Sequence, residues 1–76
     1  MSFQAYLDNI QAKTGKSPAD FRAYADAKGW LVEGKLSPSI KAGTVLADFK
    51  QTFGLGHGHA MAIVALLKGA KREGDA

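Results

Sequence analysis

Residues Ala60 to Leu67 read Ala-Met-Ala-Ile-Val-Ala-Leu-Leu, the longest unbroken apolar run in a chain of 76 residues. A bilayer span needs roughly 18 to 20 such residues, so the run does not suit a membrane, and no membrane partner is expected. As a helix it is apolar on every side, and a helix of that kind must be covered. Two arrangements achieve this. Either the rest of the chain wraps the helix, or a second copy of the chain covers part of it as a homodimer through Ala60–Leu67. A domain this small buries only about 60% of its unfolded surface, which keeps both arrangements open.

The material for wrapping is limited. Hydrophobic residues make up 46% of the chain, and 13 of them are alanine. Alanine favours helix, and the larger apolar side chains that remain, Trp30 among them, suffice for one small core. The chain is too apolar for intrinsic disorder. With no cysteine there is no disulfide, no thiolate metal site and no cysteine nucleophile. A deep ligand pocket is hard to enclose at this size, so a non-enzymatic binding module is expected, with no cofactor. Met1 to Ile10 lacks the basic start and long apolar stretch of a secretory leader, and the expected location is cytoplasmic.

Local signals divide the chain into about four short helices. Ser2 precedes Phe3, Tyr6, Leu7 and Ile10, which share one face of a first helix over roughly Phe3 to Thr14, with Gly15 as its terminator. Ser17-Pro18 followed by Asp20 opens a second, with Phe21, Tyr24 and Ala25 inward, Arg22, Asp26 and Lys28 toward water, and Gly29 at its end. Trp30 to Ile40 loses helical period and reads as a long ordered connection folded over the core, Leu31 and Val32 being its most extended part. A two-stranded hairpin is the competing reading, but no second strand is evident and an isolated hairpin is marginal. Val45, Leu46, Phe49 and Phe53 mark a third helix around Lys41 to Phe53, with Thr44 as an alternative cap, and Gly54 closes it. The fourth carries the apolar run. The expected fold is an all-α bundle forming one domain over 1–69, with a frayed tail over 70–76.

Charge is unevenly placed. Residues 1–34 hold four basic and four acidic side chains, whereas 35–72 hold Lys35, Lys41, Lys50, Lys68, Lys71 and Arg72 against Asp48 alone. Glu73 and Asp75 bring the net charge to +3. A basic half attracts phosphates, nucleic acid or acidic partners, though such charge also serves simply to solvate a surface.

The least ordinary segment joins the third and fourth helices: Gly54-Leu55-Gly56-His57-Gly58-His59. Alternate glycines permit backbone that side chains forbid, and the first N–H groups of the helix that follows suit an anion. His57 and His59 add donors, and Lys41, Lys50 and Lys68 add charge if the fold brings them near. Gly54, Gly56, His57, Gly58, His59, Lys41, Lys50 and Lys68 are therefore the candidate anion or nucleic-acid site. Metal binding is disfavoured, because zinc needs three or four ligands and only two histidines are present. No catalytic residue is indicated. Lys13-Thr14-Gly15-Lys16-Ser17 ends like a phosphate loop but lacks the upstream glycine and strand, and helix punctuation explains it.

Two resemblances follow from these residues. Gly54-Leu55-Gly56, three further positions and Ala60 resemble the turn of helix-hairpin-helix DNA-binding motifs. Over nearly the whole chain, Lys13-Thr14-Gly15-Lys16-Ser17, Lys41-Ala42-Gly43 and Gly54-Leu55-Gly56-His57-Gly58-His59-Ala60 resemble small bacterial proteins of domain of unknown function 4287. The chain departs from that pattern at Ala42, where histidine is common, and at His59, where an acid is common. The resemblance implies a compact helical domain without an established activity.

Overall fold

The first two helices begin where a side chain caps their first backbone donors, and three of the four helices end at a left-handed glycine. The computed structural model describes residues 2–74. Helix α1, Phe3–Thr14, starts at Ser2, whose hydroxyl accepts from the Ala5 N–H, and stops at a left-handed Gly15. Helix α2, Pro18–Ala27, opens with a reciprocal cap. The Ser17 Oγ accepts from the Asp20 N–H at 3.2 Å and Asp20 Oδ2 accepts from the Ser17 N–H at 2.9 Å. That pair occupies two donors that would otherwise lack partners.

After Trp30 the chain forms a small antiparallel hairpin, β1 (Leu31–Val32) and β2 (Lys35–Leu36), with Leu31 opposite Leu36 and Val32 opposite Lys35. The hairpin corrects the reading that no second strand is present here. Its cause is the turn: Glu33 and Gly34 both have positive φ, 53° and 81°, the pattern that matches the twist of paired strands. The pairing is extended by a 2.8 Å bond from the Ser37 N–H to the Trp30 carbonyl. The connection is ordered and covers the core, as expected, with Trp30 and Leu36 buried.

Helix α3 spans Ala42–Phe53 and helix α4 spans His57–Lys68. The start of α3 falls at Lys41, whose side chain makes no capping bond, rather than at Thr44. The N–H of Thr44 instead donates to the Lys41 carbonyl, inside the first turn.

The four helices and the hairpin form one small all-α bundle around α4. Helices α1, α2 and α3 and strand β2 each pack their backbone most closely on α4. Ala60, Ala62, Ile63, Val64, Leu66 and Leu67 of α4 are all buried. Phe3, Leu7 and Ile10 cover it from α1, Phe21 and Ala25 from α2, and Val45 and Phe49 from α3. Edge-to-face contacts join Phe21 to Phe49 and Phe53, at 5.5 and 5.3 Å between centroids. The wrapped arrangement thus accounts for the apolar run. Met61, 42% exposed, is the one large apolar side chain that α4 leaves open. A single exposed side chain of this kind is ordinary on a protein surface.

Among the described residues no polar or charged side chain is buried. Arg22 and Lys28, expected to face water, each hold a carboxylate: Arg22 pairs with Glu73 and Lys28 with Asp48. Of the tail over 70–76, residues 75 and 76 lie outside the described residues; 70–74 turn back toward α1 and α2. Among the described residues no helix is long and apolar enough to cross a membrane.

Candidate functional site

The turn between α3 and α4 is built by two glycines around one anchor. Gly54 is left-handed, φ 67°, a conformation that side chains resist, and its N–H donates to the Lys50 carbonyl at the end of α3. Leu55 is 1% exposed and plugs into the core, which fixes the turn in place. Gly56, in extended conformation, is the N-cap of α4 and offers no side-chain acceptor. The N–H groups of the first turn of a helix have no acceptor within the helix, and they carry the positive end of its dipole. No acid stands in the first turn of α4 to neutralise it. Helix α2 differs, since Ser17 and Asp20 occupy the same kind of donors there.

This helix start opens on a shallow cleft of about 290 Å³. Leu46, Ala47 and Lys50 line it from α3, Leu55 and Gly56 from the turn, and His57 with Ala60 from α4. The positions 46, 47 and 50 are three and four apart and so share one face of α3. Of the residues singled out in the sequence, the fold therefore brings Lys50, Gly56 and His57 together.

The others are placed elsewhere. Gly54 and Gly58 adjoin the cleft in sequence but do not line it. His59 is half-buried on another side of α4, its ring edge-on to Tyr6 of α1 at 5.9 Å and 76°. Positions two apart on a helix diverge by about 200°, so His57 and His59 do not converge. Among the described residues no three or more metal-binding side chains gather. Lys41 begins α3 and Lys68 ends α4. Each is separated from the turn by the length of a 12-residue helix, roughly 16 to 18 Å. The basic second half is thus divided between the two ends of these helices. Sequence reasoning missed the apolar wall of Leu46, Ala47 and Leu55. The helical spacing of the first two could have shown that they share a face with Lys50.

The family model for a domain of unknown function, DUF4287, matches residues 2–69. The chain belongs to the DUF4287 family. No curated protein and no solved structure matches it. The DUF4287 segment takes in all four helices, the hairpin and the α3–α4 turn, and it stops at Gly69, before the tail that carries Glu73.

Proposed function

We propose that this DUF4287 domain is a non-enzymatic, cytoplasmic binding module that receives an anionic group of its partner in the α3–α4 cleft. The observation that carries the reading is the convergence on one concavity of the uncapped start of α4, the Lys50 cation and the His57 imidazole. A phosphate or carboxylate placed there meets backbone donors, a helix dipole and a side-chain cation, while Leu46 and Leu55 supply apolar contact beside it. Nucleic acid is one source of such a group, in keeping with the helix-hairpin-helix likeness of the turn. An acidic protein segment is the other. The small, shallow concavity favours recognition over catalysis.

An amide NMR titration with inorganic phosphate at pH 6 tests the site. Shifts are expected to cluster at Gly56, His57 and Gly58, with the Lys50 side chain following. Gly56→Asp separates binding from folding, because a Cβ at Gly56 meets open space and an aspartate there caps the free donors with a negative charge. The variant is expected to be at least as stable as the parent and to lose the shifts. Lys68→Glu, at the far end of α4, should leave them unchanged. Shifts spread evenly over all lysines would overturn the reading. Titration with single-stranded and duplex DNA at two salt concentrations then distinguishes the sources, since phosphate contacts require affinity to fall with salt.

A further inference from the structure

Beyond the family-matched segment, residues 70–74 make a set of long-range contacts that bundle packing does not require. The N–H groups of Ala70 and Lys71 both donate to the Ala65 carbonyl, at 3.0 and 3.3 Å, and turn the chain off the end of α4. Arg22 of α2 then grips Glu73 at two points, Nη1 to Oε2 at 3.0 Å and Nη2 to Oε1 at 2.6 Å. The next residue, Gly74, donates its N–H to Gln4 Oε1 of α1 at 2.7 Å. The Gln4 amide is oriented from its other end, because Nε2 donates to Asp8 Oδ1 at 2.9 Å. Gly74 has φ 87°, so this N–H is delivered from a conformation that side chains rarely adopt.

These contacts matter because α1 and α2 each rest chiefly on α4 and not on one another. The tail supplies a direct tie between them. We propose that residues 70–74 form a conformational clasp that joins α1 to α2, closed by Arg22–Glu73 and Gly74–Gln4, and that it opens as a unit at high ionic strength while the four-helix core stays folded. Its two closures sit on adjacent residues, so releasing Glu73 also frees the backbone that positions Gly74. The ion pair is solvent-exposed, 38% at Arg22 and 45% at Glu73. Exposed pairs hold weakly and are screened by salt, which leaves open and closed forms close in free energy. Local openings of this kind occur without global unfolding.

Amide exchange and side-chain shifts on the whole chain test the clasp. Glu73→Gln is expected to speed exchange of the Gly74 amide about fivefold and to move the Gln4 side-chain resonances, matching the effect of 1 M salt on the parent. Gly74→Ala should move the same resonances with the Glu73 charge intact. Core amides at Ile63 and Leu67 should not change in any of these. Unaltered Gly74 exchange in Glu73→Gln would overturn the proposal, and so would core amides that loosen in step with Gly74.

Discussion

The Tyr24 hydroxyl donates a 2.6 Å hydrogen bond to Asp48 Oδ1, fastening α2 to α3 at the edge of the aromatic core. Lys28 Nζ lies 3.1 Å from Asp48 Oδ2 and also sits over the rings of Tyr24 and Trp30, at 5.6 and 5.8 Å. Thr52 Oγ1 donates to the same carboxylate at 3.3 Å. Burial alone would raise the Asp48 pKa, but the bonds from Tyr24, Lys28 and Thr52 outweigh it and hold the carboxyl below its ordinary value.

Tyr24→Phe removes the shortest of these bonds and keeps the ring. A hydrogen bond to a charged group contributes about 1.5 to 3 kcal/mol, and Lys28 and Thr52 remain to compensate in part. The expected loss of stability is about 1 to 2 kcal/mol. Urea unfolding followed by the fluorescence of the buried Trp30 measures it, and a change within about 0.3 kcal/mol would remove this contact from the account.

Stability should fall in acid over a defined window. Bonds from the Ser17 backbone and hydroxyl lower Asp20, the donors just described lower Asp48, and the Arg22 fork brings Glu73 down to about 2. A carboxyl whose pKa is lower when folded stabilises the fold above its unfolded pKa, and that contribution disappears as pH falls through the folded value. Urea midpoints are expected to be level above about pH 5 and to decline down to about pH 2. In Glu73→Gln the decline should be nearly the same, because an exposed pair contributes little to the stability of the core.

Ile63 is fully buried at the centre of the bundle. Ile63→Ala should cost about 2 to 5 kcal/mol, a large part of the roughly 4 to 11 kcal/mol expected for a domain of this length. Met61, two residues away, is exposed, and Met61→Lys should stay within about 0.5 kcal/mol of the parent. Thermal melts of the pair test the wrapped position of α4: if Met61→Lys proves as damaging, that face is covered.

Glu33 holds a left-handed backbone at the hairpin turn, a conformation that costs a non-glycine residue about 1 to 2 kcal/mol. Asn tolerates it far better and is favoured at this turn position. Glu33→Asn is expected to raise stability by about 0.5 to 1 kcal/mol, read as a higher urea midpoint with an unchanged slope. A lower midpoint would mean that the Glu33 side chain contributes something its backbone geometry does not reveal.

What could be read from the sequence is what neighbouring residues decide. Ser17-Pro18-Asp20 and the glycines at 15 and 54 act within one turn of themselves, and the helices begin and end where they direct. The hairpin escaped because two-residue strands show no periodicity, and its turn depends on a glutamate in a conformation that glutamate disfavours. At the candidate site, the turn was visible as glycine and histidine spacing. The separation of Lys41 and Lys68 from Lys50 was not, since it follows from which helix end each residue occupies. Tyr24–Asp48 and Arg22–Glu73 join residues 24 and 51 positions apart, and no local pattern announces such partners.

The hub of the bundle is also the last of its four helices to leave the ribosome. Until α4 emerges, Phe3, Leu7, Ile10, Phe21, Val45 and Phe49 have lost their common packing surface, and α1 to α3 are short helices of 10 to 12 residues. Isolated helices of that length are marginal in water. Contacts such as Phe21–Phe49 and Tyr24–Asp48 join α2 to α3 without α4, yet a stall before Ala60–Leu67 clears the exit tunnel is expected to leave an exposed, aggregation-prone chain for chaperones or proteases to handle.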